Sequence, residues 1–158
     1  MLTIVCPVYN EKDNVKKLLE EINSKIKTEK EILFIYDTEE DNTLPVILEI
    51  KDRYPFKITP LKNIYGKGVL NAIKTGLKLA KSDTVLVIMA DLSDDLSIVD
   101  RMYELIKSGY DIVCGSRYMK GGKQIGGPFI KKLLSKIAGL SLHFLSGIPT
   151  HDITNSFK

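Results

Sequence analysis

Met1-Leu2-Thr3-Ile4-Val5-Cys6-Pro7 is an apolar run of one strand's length. Behind it Val15, Leu18, Leu19, Ile22 and Ile26 return at helical spacing, with Asn10 placed as a cap. This strand-then-helix pattern repeats along the chain. Residues 31–36 are a second apolar run, and Leu44, Ile47 and Leu48 follow the cap candidates Asn42 and Thr43, with Pro45 admissible in a first turn. Residues 56–59 suggest a short third strand, followed by a helical stripe of Val69, Ala72, Ile73, Gly76, Leu77 and Ala80. Residues 84–89 are the most strand-like run of all. Ile98, Val99, Met102, Leu105 and Ile106 then mark a helix, and residues 110–114 a fifth strand. Strands that are apolar throughout and alternate with helices must be covered on both faces, which predicts an α/β fold with a mainly parallel sheet. In such a sheet ligands bind at the carboxyl ends of the strands.

With 158 residues, 44% of them apolar and 27% charged, the chain has the usage of one ordinary globular domain, which excludes disorder, collagen and coiled coil. A Gly- and Lys-rich loop at 115–127 separates an α/β body, 1–114, from a segment, 115–158, that ends in a last helix from 128 to about 145. No linker or repeat divides residues 1–158. Cys6 and Cys114 lie in apolar runs with no Cys-x-x-Cys spacing, so two buried thiols in a reducing compartment are expected. Residues 1–10 lack the basic start of a signal peptide and no stretch reaches about 18 apolar residues, which places the expected protein in the cytoplasm. The net charge of +3 hides an asymmetry: residues 112–158 carry seven basic groups and one acid, Asp152. That tail faces an anionic partner or only water.

The expected strand ends read Pro7-Val8-Tyr9-Asn10-Glu11, Asp37, Ala90-Asp91 and Gly115-Ser116-Arg117. No Gly-x-Gly-x-x-Gly follows the first strand and no Gly-x-x-x-x-Gly-Lys-Ser/Thr occurs, so dinucleotide-binding and P-loop readings fail. Cys6-Pro7-Val8-Tyr9-Asn10-Glu11 resembles the opening signature of the family 2 inverting glycosyltransferases. In order along the chain, Asp37 to Thr43 resembles their Asp-Asp-Gly-Ser-x-Asp-Gly-Thr segment, and Gly66-Lys67-Gly68 with Ala72 and Gly76 their Gly-rich helix start. Met89-Ala90-Asp91 sits where they carry Asp-x-Asp. Gly115-Ser116-Arg117-Tyr118 and Asp152 to Lys158 resemble segments of the dolichyl-phosphate mannosyltransferase-like branch. Tyr36 and Met89 each replace the first Asp of an acidic pair, Lys158 stands in place of Arg, and the chain stops where such domains normally continue, which suggests truncation at the C-terminus.

The resemblance implies a single GT-A (Rossmann-like) domain and a metal-dependent hexosyltransferase. Sugar would move, with inversion, from a UDP- or GDP-linked donor to a polyprenyl (dolichyl) phosphate. The alternatives are a hydroxyl acceptor, with Asp152 as base, or a non-catalytic module binding nucleotide or a membrane surface. Pro7, Tyr9, Asn10, Glu11, Asp37, Lys67 and Ala90 are the candidate nucleotide contacts, with Asp37 accepting from a ring N–H of the base and Lys67 near phosphate at a helix start. Asp91, helped by Asp94 or Asp95, would hold Mg²⁺ or Mn²⁺, for which hard oxygen donors are suited. Arg117 closes an expected strand in a loop free of acids, and an unpaired Arg there suits phosphate. With Lys131, Lys132 and Ser135 it would take the acceptor phosphate, so that Asp91, Arg117 and Asp152 form the catalytic candidates. The last helix sets Lys131, Lys132 and Lys136 around Ile130, Leu133, Leu134, Ile137, Phe144 and Leu145, the pattern either of a core helix with a solvated basic face or of a helix lying on anionic lipid or holding a lipid phosphate. The expected location is peripheral, on the inner face of a membrane; no nucleic-acid partner is expected.

Overall fold

Four strands, β1 (Leu2–Val8), β2 (Lys30–Tyr36), β3 (Lys57–Lys62) and β4 (Thr84–Val87), pair in parallel in the order β3-β2-β1-β4. The computed structural model describes residues 1–118, 122, 129–147, 152 and 155–158, without the side chains of 129–132, 135 and 136. The helices are α1 (Val15–Lys25), α2 (Thr43–Ile50), α3 (Val69–Leu79), α4 (Val99–Lys107) and α5 (Phe129–Ser146). The chain forms two compact units, Met1–Val113 with Phe157, and Cys114–Ser156 with Lys158.

In the first unit the period-two geometry of the strands divides the core between the faces of the sheet. Leu2, Ile4, Cys6 and Val8 of β1, with Ile32 and Phe34 of β2, pack with Val15, Leu18, Leu19 and Ile22 of α1, Ile47 and Ile50 of α2, and Val99 and Met102 of α4. Val5, Leu33 and Ile35 point the other way, onto Ala72 of α3. The second contact is close because of Gly76: a Cβ there would overlap the Val5 side chain. Thr3 and Glu31, buried beside this core, pair with each other. Thr3 Oγ1 donates to Glu31 Oε1 at 2.9 Å and also contacts Ser82 Oγ.

Three expectations are corrected. Residues 110–114 form no strand: Tyr110 and Ile112 are 61% and 72% exposed, and an apolar run becomes a strand only where a neighbour takes its N–H and C=O groups. The third strand is longer than expected and runs through Pro60, which is tolerated because β3 lies at the edge of the sheet. Asn10 does not cap α1; it adopts a left-handed conformation, φ 58°, and the helix begins five residues later. Cys6 is buried as expected, and burial pushes its thiol up, beyond reach of ordinary thiolate chemistry, whereas Cys114 is only half-buried. The second unit contains α5, which exposes Leu134, Phe144 and Leu145. Among the described residues no helix is long and apolar enough to cross a membrane.

Candidate functional site

After β1, β2 and β3 are laid down side by side, the chain crosses back to place β4 on the other side of β1. The crevice at such a reversal, beyond the carboxyl ends of the strands, is where open α/β sheets bind ligands. An open cleft lies there. Pro7, Val8, Tyr9 and Glu11 line it from the end of β1, Asp37 from β2, Gly68, Val69 and Ala72 from the start of α3, and Met89, Ala90 and Asp91 from the end of β4. Of the sequence candidates, Pro7, Tyr9, Glu11, Asp37, Ala90 and Asp91 are therefore brought together, while Asn10 and Lys67 are not on the lining.

Asp37 is held from two sides. Its Oδ1 accepts from Asn63 Nδ2 at 2.9 Å, and its Oδ2 from the Gly68 N–H at 2.8 Å. The N–H of Gly68, at the start of α3, is thus taken by Asp37. Gly68 sits at φ 112°, a conformation that side chains rarely adopt, so glycine is needed there for the backbone and not for space. Asn63 is fixed in turn: its Oδ1 accepts from Thr75 Oγ1 at 2.8 Å and from the Tyr65 N–H at 3.1 Å, and its N–H donates to the Tyr36 carbonyl. The Tyr36 hydroxyl donates to Glu39 at 3.3 Å.

The loop after β1 is tied to the loop after β2. Asp41 Oδ1 accepts from the N–H groups of Asn10 and Thr43, the Asn10 side chain accepts from the Asn42 N–H, and Thr43 Oγ1 accepts from the Glu11 N–H at 2.8 Å. Asn42 and Thr43 thus reach across to the other loop, and Asp41 supplies the capping contact at the start of α2. Asn10 accordingly serves the loop rather than the cleft. Asp41 is 3% exposed, and its Oδ2 has no hydrogen-bond partner among the described residues.

At the end of β4 the chain turns sharply. Leu92 is in the left-handed region at φ 60°, a strained state for a branched side chain. The strain is offset by Asp91 Oδ1, which accepts from the Ser93 N–H at 3.0 Å, and by Leu92 packing on the core. Asp91 Oδ2 makes no hydrogen bond to a described residue and is left at the cleft. Asp94 folds back to accept from the Met89 N–H at 3.0 Å; burial raises its pKa, and Asp91 nearby adds to the effect. Asp95 is not on the cleft lining: its Oδ1 accepts from both the N–H and the hydroxyl of Ser97, capping the 3-10 turn that leads into α4.

Among the described residues the lining carries three carboxylates, Glu11, Asp37 and Asp91, and no basic side chain. A diphosphate entering it meets like charge, so a divalent cation suits the cleft, and carboxylate oxygens are the donors that Mg²⁺ and Mn²⁺ favour. Among the described residues no group of three or more His, Cys, Asp or Glu side chains converges to hold such an ion unaided. Asp91, with one oxygen left at the cleft, fits as a protein ligand that could hold such an ion.

In the second unit Arg117 proves not to be unpaired. Its backbone N–H and Nε donate to Asp152 Oδ2 at 2.8 and 3.0 Å, and one terminal nitrogen donates to Oδ1 at 2.6 Å. Burial would raise the pKa of Asp152, but the hydrogen bonds and charge of Arg117 outweigh it and hold the carboxyl below the usual range. A carboxylate committed in this way is a weak base, which corrects the reading of Asp152 as one. Asn155 Nδ2 donates to the Gly115 carbonyl at 2.8 Å, tying the same two segments. The side chains of Lys131, Lys132, Ser135 and Lys136 lie outside the described residues.

Sequence reasoning missed Asn63, Thr75, Asp41 and Thr43. Each is a polar residue buried to within 9% of full enclosure. Asn63 and Thr75 each stand among ordinary apolar or polar neighbours, so only their pairing reveals them. Asp41 lies within the Asp37 to Thr43 segment with nothing to mark its role, and Thr43 reads there only as a helix cap, not as the acceptor for the Glu11 N–H.

Comparison with known proteins places the whole chain. The family model described as Glycosyl transferase family 2 matches residues 3–157. The chain is similar to a dolichol-phosphate mannosyltransferase of Pyrococcus furiosus, 35% identical over 136 residues that cover 85% of this chain and 38% of that one. It is also similar to a polyprenol monophosphomannose synthase of Mycolicibacterium smegmatis, 28% identical over 158 residues that cover 98% of this chain and 59% of that one. The chain thus spans roughly two fifths to three fifths of these two relatives. Among solved structures, glucosyl-3-phosphoglycerate synthase of Mycobacterium tuberculosis, in complex with Mn²⁺, UDP-glucose and phosphoglyceric acid, superposes with a TM-score of 0.68 at 13% identity, over 99% of this chain and 55% of that one. A mannosyltransferase of Pyrobaculum calidifontis, in complex with GDP-mannose and Mn²⁺, gives 0.58 at 19% identity, over 72% and 33%. These structural likenesses carry the fold, a GT-A arrangement.

Proposed function

The chain belongs to glycosyl transferase family 2, and on that premise we propose that it takes part in moving a sugar from a UDP- or GDP-linked donor to a polyprenyl phosphate. The observation that carries the reading is the cleft itself, which sets Asp37 and Asp91 at the ends of strands on either side of β1. Asp37 would accept from the ring N–H of the base, since two of its roughly four lone-pair sites are already used by Asn63 and Gly68 and the others remain. Tyr9, 70% exposed, and Glu11 would flank the nucleoside. Asp91 would hold Mg²⁺ or Mn²⁺, which when bound stabilises the charge of the departing diphosphate.

The acceptor oxygen of a polyprenyl phosphate is ionised at neutral pH, so it can attack the anomeric carbon without a general base. The new bond forms as the bond from that carbon to the diphosphate oxygen breaks, and in-line attack inverts the centre. The commitment of Asp152 to Arg117 supports this acceptor over a sugar hydroxyl, which would need a base. Arg117, anchored by Asp152, would contact the acceptor phosphate with Lys131, Lys132 and Ser135. The exposed Leu134, Phe144 and Leu145 of α5 support a peripheral seat on a membrane.

Calorimetry tests the donor side. UDP or GDP is expected to bind more tightly with Mn²⁺ or Mg²⁺ than without, and Asp91→Ala is expected to abolish that difference. Equal affinity with and without metal in the parent chain removes the reading.

A further inference from the structure

The buried chain of polar groups behind Asp37 has no part in the chemistry described so far. Thr75 is fully buried in α3, Asn63 is 9% exposed, and neither lines the cleft. The Thr75 hydroxyl accepts from the Ile64 N–H at 3.2 Å and donates to Asn63 Oδ1, leaving the Asn63 amide to point its Nδ2 at Asp37. The Tyr65 N–H on the same Oδ1 fixes which way that amide faces. Asp37 therefore meets one donor from this chain and a second from Gly68, on different oxygens, which settles the plane of its carboxylate.

We infer that Asn63 and Thr75 are positioning residues that set the carboxylate plane of Asp37 and so determine how selectively the cleft takes a nucleobase. The inference rests on the proposed contact between Asp37 and the base. A carboxylate free to rotate must be ordered by the ligand at an entropic cost, while one held by two donors presents its remaining lone pairs in a fixed direction. A uracil or guanine N–H reads that direction; a phosphate on the far side of the nucleotide does not. The network is thus expected to act on base-bearing ligands and to leave base-free ones alone.

The test is calorimetric titration of the full chain with UDP, GDP and ribose 5-phosphate, each with Mn²⁺. Thr75→Val keeps the volume and removes the hydroxyl; it is expected to weaken whichever nucleoside diphosphate the parent prefers about fivefold to tenfold, with ribose 5-phosphate unchanged. Thr75→Ser keeps the hydroxyl and is expected to behave as the parent. Asn63→Ser, which withdraws the donor from Asp37 while leaving Thr75 a hydroxyl neighbour, is expected to give the same selective loss and stands in should Thr75→Val fail to fold. Equal loss for all three ligands, or no loss, overturns the inference in favour of a purely structural role. A parent chain that binds UDP and GDP no better than ribose 5-phosphate overturns the base contact itself, and the inference with it.

Discussion

Exchanging the charge between Asp37 and Asn63 separates the scaffold from the contact it supports. In Asp37→Asn one carboxylate oxygen becomes an amide nitrogen, so a donor must face either Asn63 Nδ2 or the Gly68 N–H, both of which are donors. Flipping Asn63 relieves the first clash only by turning its own Nδ2 toward the Tyr65 N–H. One charge-assisted bond is lost and one donor is left unpaired, a cost of about 1–3 kcal/mol, held toward the lower end because Asp37 is half-buried and water reaches it. Asn63→Asp alone sets two carboxylates against each other and is expected to cost a similar amount. Together the changes restore the pattern: the carboxylate introduced at position 63 accepts from Thr75, from Tyr65 and from the amide introduced at position 37, whose own oxygen still accepts from Gly68. Urea unfolding at pH 7, followed by far-UV circular dichroism, should find the double variant within about 1 kcal/mol of the parent, with a coupling of about 2 kcal/mol between the sites. Nucleotide affinity should stay lost in the double variant, because the charge has moved from the cleft to a buried position. A double variant destabilised by the sum of the singles refutes the network; one that binds UDP or GDP as the parent does refutes the role of the Asp37 charge.

Gly76→Ala should lower stability by about 1–3 kcal/mol through overpacking against Val5, more than the gain of up to about 1 kcal/mol in helix propensity, and Val5→Ala in the same chain should recover part of the loss in thermal melts. Asp100 offers a pH test: burial would raise its pKa, but the N–H groups of Thr28 and Lys27 and the Thr28 hydroxyl hold it lower. Its contribution is present above the ordinary value near 3.8 and lost as pH falls through the depressed one, so the stability gap between parent and Asp100→Asn should be open at pH 7 and close as acid is added. Asp95→Ala should cost about 1 kcal/mol as a lost cap while leaving the metal dependence of nucleotide binding intact, unlike Asp91→Ala; loss of metal dependence would return Asp95 to the ion. Replacing Lys131, Lys132 and Lys136 together by Gln should weaken sedimentation with anionic vesicles, at about 1 kcal/mol per charge near the surface, without changing nucleotide affinity; sedimentation indifferent to lipid charge would remove the membrane seat.

The alternation of apolar runs and helical stripes was enough to establish a parallel α/β sheet, because burial on two faces leaves a periodic mark on each element: Ile4 and Val5 differ by one position and enter separate cores. The strand ends could likewise be read, since a parallel sheet puts its loops in one place, and Pro7, Asp37 and Asp91 do meet there. Pairing could not be read. Whether 110–114 became a strand depended on a neighbour to take its hydrogen bonds, and local apolarity does not record one. Nor could partners far apart in sequence: Arg117 reads as a lone cation along the chain because its counter-ion lies 35 residues away. Asn63 and Thr75 look ordinary in sequence. A polar side chain acquires its role from the donor or acceptor that folding brings to it, and only the tertiary structure decided that theirs was to hold Asp37 in place.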